Sequence, residues 1–308
     1  MTPPAAGADA KPLVLLSQPS DSGLTPVMEG QFRFVLAADA DAATAAEARA
    51  SDCRSHRRAP GAGARVHDSV GLDHVDLDAC RRRGITVTNA GATFSVDSAD
   101  YAVGLVIAVL RRVAAADAHL RRGRWAMDGD YPLATKREAR RHRGLGSIGS
   151  LVARRLAAFG CPVAYHSRTR KPPPCPYTFF PTVRALAADS DVLVLACALT
   201  EETRRAVDRE VMEALGAGGV LVNVGRGGLV DEPELVRCLR EGVIGGAGLD
   251  VFENEPDVPA ELLDMDNVVL SSHKAVATAE SIRGVLDAVS GNLEAFFAGR
   301  PLLSPVSL

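Results

Sequence analysis

The apolar positions of the chain alternate between two periods. Short β-branched or aliphatic runs predict strands at 12–17, 85–89, 161–166, 191–196, 219–224, 245–250 and 267–271. Between them, three- and four-residue spacing predicts helices. Ile148, Leu151, Val152, Leu156 and Phe159 mark one stripe, with Gly160 placed to end that helix. Others are expected at 37–50, near 77–84, at 95–113, 183–188, 208–215 and 232–241, and at 281–297. Asp231-Glu-Pro-Glu234 has the acidic residues and proline of a helix start. Strands and helices alternating at these lengths predict a parallel, doubly wound α/β sheet. Residues 119–135 read as a loop with exposed aromatics, Trp125 and Tyr131 among them.

Gly144-Leu-Gly-Ser-Ile-Gly149 stands immediately before the helix marked by Ile148. This is the dinucleotide-binding spacing. Its glycines allow a tight turn, close backbone approach to a pyrophosphate and close helix–strand packing. The helix start behind them offers backbone N–H groups and the positive end of a dipole to phosphate oxygens. Gly144, Gly146, Ser147, Ile148 and Gly149 are therefore the expected pyrophosphate contacts.

Such a turn needs a buried strand in front of it, yet Lys136-Arg-Glu-Ala-Arg-Arg-His-Arg143 carries five Lys or Arg in eight residues. Each unpaired buried charge costs on the order of several kcal/mol, so this run does not make an ordinary central strand. It can be encoded AAG CGG GAA GCG CGT CGG CAC CGT. One base later, the same bases read Ser-Gly-Lys-Arg-Val-Gly-Thr-Val, a proper strand. A short frameshifted window explains the run, and the Arg/Ala/Pro/Gly-rich stretch at 51–66 has the look of a second one. That stretch stands where an α/β domain wants a strand.

Composition narrows the class. With 308 residues, 47% hydrophobic and 24% charged, the chain suits two modest soluble domains. A net charge of −3 gives no electrostatic reason to expect nucleic acid or a membrane surface. No apolar run approaches a membrane span. Six scattered cysteines without a C-x-x-C pair, and no secretion signal, predict reduced thiols in the cytoplasm. Cys and His show no zinc-ligand spacing, so no metal is expected.

Ligands of an open α/β sheet sit at the carboxyl ends of its strands. Arg226 follows one such strand in Val222-Asn-Val-Gly-Arg-Gly-Gly-Leu-Val230. Asp250 and Glu255 follow the next, and His273 follows Val268-Val-Leu-Ser-Ser272. An arginine, carboxylates and a histidine beside a phosphate-binding turn point to proton-coupled chemistry on an anionic substrate.

These motifs resemble the D-isomer-specific 2-hydroxyacid dehydrogenase family, and within it the plant-type glyoxylate, hydroxypyruvate and hydroxyphenylpyruvate reductases. The likeness runs from residue 67 to 304. It is carried by Ser69-Val-Gly-Leu-Asp73, the glycine turn, Asn223-Val-Gly-Arg-Gly-Gly228, Leu249-Asp-Val-Phe-Glu-Asn-Glu-Pro256 and Ser272-His273. The basic run and Ser272, where the family usually has proline, depart from its pattern.

The resemblance implies two Rossmann-like domains: a cofactor domain (99–276) inserted in a substrate domain (1–98 plus 277–308), with dimer contacts through the helix from Ser95 and the Trp125 loop. It implies that His273 protonates the carbonyl oxygen as hydride arrives. Glu255 would orient the ring and favour its charged form, and Arg226 would grip the 2-oxo acid. Val70 and Gly71 would hold the carboxylate from the other domain, and Asp250 would contact the nicotinamide side.

After the second strand of the cofactor domain an NAD enzyme places an acidic residue. Here His166-Ser-Arg-Thr-Arg-Lys171 has none, and Ser167, Arg168 and Thr169 suit a 2′-phosphate, so NADPH is expected. The expected function is NADPH-dependent reduction of a small 2-oxo acid (glyoxylate, hydroxypyruvate or 4-hydroxyphenylpyruvate) by a homodimer. The rivals are an NAD-linked phosphoglycerate or D-lactate dehydrogenase, a non-catalytic co-repressor-like binder, and an inactive product of a frameshifted gene.

Overall fold

The computed structural model describes residues 11–16, 28–36, 39, 50–52, 63–73, 75–132 and 146–307. The basic run at 136–143, Gly144, the middle of the 51–66 stretch and the helix expected at 37–50, except Asp39 and Ala50, lie outside the described residues, and Ala50 opens a strand instead. The chain divides into two compact units, Met1–Phe94 with Thr278–Leu308, and Ser95–Ala277.

Among its described residues the first unit holds a five-stranded parallel sheet in the order β2-β1-β3-β4-β5. Its strands are β1 (Leu13–Leu16), β2 (Arg33–Leu36), β3 (Ala50–Asp52), β4 (Ala64–Val66) and β5 (Thr86–Thr88). The sequence pattern reads only the first and last of these. β1 and β5 sit in aliphatic or β-branched runs, whereas β3 (Ala-Ser-Asp) and β4 (Ala-Arg-Val) carry polar residues that break any such run, and β2 opens on Arg33. Helix α1 (Leu77–Arg82) has Asp76 accepting the Ala79 N–H at its start, and Gly84 takes a left-handed φ of +64° just beyond it. Val14, Phe32, Val66 and Ala90 form a core with Val285, Val289 and Leu293. Those last three lie on one face of the long C-terminal helix of this unit (Ala279–Phe297).

The second unit begins with α2 (Ser95–Leu110), which buries Ala99, Ala102, Val103, Val106 and Val109 at helical spacing. The expected helix to 113 stops short. Arg112 turns to a left-handed φ of +50°, and α3 (Val113–Arg121) restarts with no buried residue. The loop expected at 119–135 contains a further short helix, α4 (Arg124–Asp128). The apolar stripe that anchors α2 ends at Leu110, and α3 beyond it buries no residue. Helix α5 (Ser147–Ala158) packs against α2 through Val152 and Leu156. Arg155 adds a 2.6 Å bond to Asp100, which lowers that carboxyl from its usual value.

Further along run β6 (Ala164–Tyr165), β7 (Thr178–Phe179), α6 (Val183–Ala188), β8 (Val192–Leu195), α7 (Arg209–Leu215), β9 (Val220–Asn223), α8 (Glu232–Arg240), β10 (Gly246–Leu249), α9 (Ala260–Leu263) and β11 (Val268–Leu270). β8 to β11 form a parallel sheet in the order β11-β10-β9-β8, and β6 pairs with β7 in a separate parallel ladder. Strands β8 to β10 are buried on both faces, which is why their sequences are continuous apolar runs rather than alternating ones. β10 reads Gly-Ala-Gly-Leu for a steric reason: a Cβ at Gly248 would stand 3.1 Å from Leu105 Cβ on α2. The helix rests on the strand backbone itself. Its first residues, like the loops after β9, β10 and β11, lie at the end where the candidate chemistry gathers.

Candidate active site

Asn223, the last residue of β9, is buried and holds the loop that follows it. Its Oδ1 accepts the Gly225 N–H at 3.0 Å, and its Nδ2 donates to the Arg226 carbonyl at 2.9 Å. Arg226 is half-buried, extended in backbone (φ −147°, ψ 145°), and bonded through Nη1 to the Gly225 carbonyl. Gly225 has no room for a side chain, because a Cβ there would lie 2.8 Å from Leu229 and 3.0 Å from the Cys197 carbonyl. The glycines around Arg226 are thus packing requirements of a tight loop.

Asp250 follows β10 and is 1% exposed. Its Oδ1 accepts Ser271 Oγ–H at 2.6 Å and the Lys274 N–H at 2.7 Å, and its Oδ2 accepts the Ala275 N–H at 2.9 Å. The Asp250 carbonyl also receives the His273 N–H at 2.7 Å. One buried carboxylate therefore shapes the whole loop that presents His273. That loop carries strain: His273 has a left-handed φ of +53°, a conformation costing a non-glycine residue about 1–3 kcal/mol. Four hydrogen bonds to Asp250 hold it there.

His273 Nδ1 lies 2.8 Å from Glu255 Oε2. A carboxylate can only accept, so the Nδ1 proton sits on this bond, and Nε2 is the nitrogen left to exchange a proton with a ligand. Glu255 Oε1 accepts the Phe252 N–H at 3.0 Å, which fixes the carboxylate with one oxygen turned to the ring. Both side chains are partly exposed, so the pair faces a solvent-accessible space.

Of the residues expected at a cofactor site, Gly146 caps α5 with φ −79° and ψ −164° and, as a glycine, offers no side-chain cap of its own. Ser147, Ile148 and Gly149 form its first turn. Ser167, Arg168 and Thr169 lie on the loop after β6. Ser167 Oγ donates to the Thr169 carbonyl at 2.6 Å, and buried Tyr165 accepts the Lys171 N–H at 2.8 Å, closing the turn. His166 Nδ1 donates to the Phe180 carbonyl at 3.0 Å and its ring stacks on Phe179. A helix start with glycine as its cap and a loop with two arginines and a lysine suit a phosphate-bearing ligand. In the first unit, Val70 and Gly71 lie on a loop tied by Ser69 Oγ to the Gly71 carbonyl (2.9 Å) and by Asn89 Nδ2 to the Val70 carbonyl (3.0 Å).

Ser271 and Tyr165 escape a reading of motifs alone, since each acts through a bond to a partner distant in sequence or to backbone, and the motif that begins at Asn223 assigns that residue no role. Asn223 opens a motif and Ser271 adjoins one, which is the signal the sequence offers for them.

Residues 103–275 match the family model described as D-isomer specific 2-hydroxyacid dehydrogenase, NAD binding domain. A glyoxylate/hydroxypyruvate reductase of Arabidopsis thaliana is 58% identical over 245 residues, covering 79% of this chain and 76% of that protein. The chain belongs to the D-isomer-specific 2-hydroxyacid dehydrogenase family. It is also similar to a hydroxyphenylpyruvate reductase of Plectranthus scutellarioides, 52% identical over 240 residues and covering 77% of this chain and 76% of that one. Among solved structures, an NADPH-dependent glyoxylate/hydroxypyruvate reductase of Sinorhizobium meliloti, in complex with NADP and malonate, matches with a TM-score of 0.91. That match is 36% identical and covers 97% of each chain. As a family member the chain is an oxidoreductase of parallel-sheet α/β architecture, as its sequence pattern predicts. Among the described residues, no helix is long and apolar enough to cross a membrane.

Proposed function

We propose that this dehydrogenase reduces a small 2-oxo acid, of the glyoxylate, hydroxypyruvate or 4-hydroxyphenylpyruvate type, to the D-2-hydroxy acid with NADPH. The observation that carries the reading is the 2.8 Å His273–Glu255 bond, which leaves Nε2 as the proton-transferring atom. His273 Nε2 donates its proton to the substrate carbonyl oxygen, and Glu255 keeps the ring oriented and balances its positive charge. Arg226 receives the substrate carboxylate and polarises the adjacent carbonyl, the planar guanidinium fork suiting two oxygens. Val70 and Gly71 offer backbone N–H groups suited to a carboxylate. Asp250 acts on the cofactor side through the loop it shapes. The bound cofactor supplies the hydride.

NADPH is favoured over NADH by the loop after β6. It presents Ser167, Arg168 and Thr169 where an acidic residue would be needed for a ribose 2′-hydroxyl. The backbone of Gly146, Ser147, Ile148 and Gly149 would hold the pyrophosphate. The unit spanning 95–277 serves as cofactor domain, and the other as substrate domain. A homodimer formed through α2 to α4 accounts for their surface: α3 buries nothing, and Trp125 and Met127 are 59% and 81% exposed. Buried thiols at Cys80 and Cys238 fit a reducing cytoplasm.

The test is NADPH oxidation by the purified protein with each 2-oxo acid, beside His273→Ala. Turnover lost in the variant is expected. Soluble, NADPH-binding protein without turnover would favour a binding role, and loss of cofactor binding would favour a damaged gene.

A further inference from the structure

The first turn of α8 holds a buried carboxylate for which the proposed reaction has no use. Glu232 is only 8% exposed, although an acidic residue at a helix start ordinarily stands in solvent. Its Oε2 accepts the Glu253 N–H at 3.1 Å. Gly227 packs against that same peptide group. A Cβ on Gly227 would lie 1.9 Å from the Phe252 carbonyl carbon, 2.0 Å from its oxygen and 2.3 Å from Glu253 N. Three pieces of chain therefore meet at the Phe252–Glu253 peptide: the Arg226 loop, the start of α8 and the Glu255 turn.

That turn closes at once. Phe252 N–H donates to Glu255 Oε1, and Glu255 Oε2 faces His273. The Phe252 N–H that anchors Glu255 stands one Cα before the Phe252–Glu253 peptide, so a shift of that peptide would disturb the Glu255 anchor through the Phe252 Cα. Arg205 steadies the other side of the turn, bonding Glu253 at 3.0 Å and lying 3.5 Å from Asp231. Burial, then the nearby Glu253 and Glu255 charges, push the Glu232 carboxyl above its ordinary value, while the Glu253 N–H bond opposes the rise. A buried acid held at that cost needs a structural return.

We propose that Glu232 is a positioning residue. It holds the Phe252–Glu253 peptide against Gly227, and so keeps the Glu255–His273 pair in register with Arg226. The proposal rests on the reductase reading only for its kinetic readout.

The test compares Glu232→Ala with Glu232→Gln in the full chain, using NADPH and glyoxylate. The alanine variant should lower kcat about tenfold, the cost of a sub-ångström to one-ångström displacement of a reacting group. Its KM for NADPH should stay within about twofold, because the phosphate-binding elements are untouched. Glutamine keeps an acceptor oxygen and should recover kcat to within about threefold of wild type. A second readout needs no turnover: the downfield proton resonance of His273 Nδ1–H, assigned by its loss in His273→Ala. It should persist in the glutamine variant and be lost in the alanine variant. Should the alanine variant fail to fold, Glu232→Asp, one methylene too short, takes its place against glutamine. Wild-type kcat and resonance in the truncated variant would overturn the proposal, as would equal impairment of glutamine and alanine. An inert wild type would overturn the reductase reading alone, with the resonance still deciding the role of Glu232.

Discussion

Asp250→Asn tests whether the His273 loop is built on one carboxylate. The wild-type group accepts three hydrogen bonds, two on Oδ1 and one on Oδ2. Asparagine offers one acceptor oxygen and one NH2. With the NH2 in the Oδ2 position it faces the Ala275 N–H, and in the Oδ1 position it faces the Lys274 N–H. Ser271 can reverse its hydroxyl, but a backbone N–H cannot reverse. Either orientation leaves one buried donor against another, at a cost of about 1–3 kcal/mol. The surviving bonds lose their charge assistance, which brings the total to about 2–4 kcal/mol. For a unit of this size the unfolding midpoint should fall by roughly 4–16 °C. Freed of its anchors, His273 can leave its left-handed backbone, and kcat should fall at least about tenfold. Circular dichroism melts and steady-state NADPH oxidation measure both. An unchanged midpoint together with a raised KM for NADPH would refute the reasoning, since it would make Asp250 a cofactor contact and no more.

The remaining predictions use the same contacts. In Gly227→Ala the new methyl sits roughly 1.5 Å inside ordinary contact with the Phe252 carbonyl, so the loop must yield, with kcat down about 100-fold and 1–3 kcal/mol of stability lost. Retained kcat in that variant would contradict the close approach. Glu232 titrates higher when folded, so its contribution to stability is full below the unfolded carboxylate value of about 4.3 and is lost as pH rises through the folded value. Urea unfolding from pH 4 to 7 should therefore show wild type losing stability relative to Glu232→Gln, and parallel curves would refute the shift. Arg168→Ala should raise KM for NADPH about tenfold or more and leave KM for NADH unchanged; equal effects on both would remove the 2′-phosphate role. Replacing residues 136–143 with Ser-Gly-Lys-Arg-Val-Gly-Thr-Val should raise the unfolding midpoint and tighten NADPH binding, and an unchanged midpoint would show that no buried strand was wanted there.

The sequence by itself determined the parallel α/β class, because strands buried on both faces must be written as unbroken apolar runs such as Val192–Leu195 and Val220–Asn223. It also marked Arg226, Glu255 and His273, because chemistry at strand ends needs particular side chains after particular strands. It was silent on β2, β3 and β4, where an arginine, a serine and aspartate, and another arginine interrupt the apolar pattern, and their pairing comes from neighbours far along the chain. The tertiary structure alone decided which atoms of the site are spoken for. That Asp250 faces inward to the 271–275 loop, that Nδ1 of His273 meets Glu255, and that Glu232 reaches the peptide beside Gly227 are contacts across 18 to 25 residues. Periodicity reports which side of an element is buried; it carries no record of the partner that covers it.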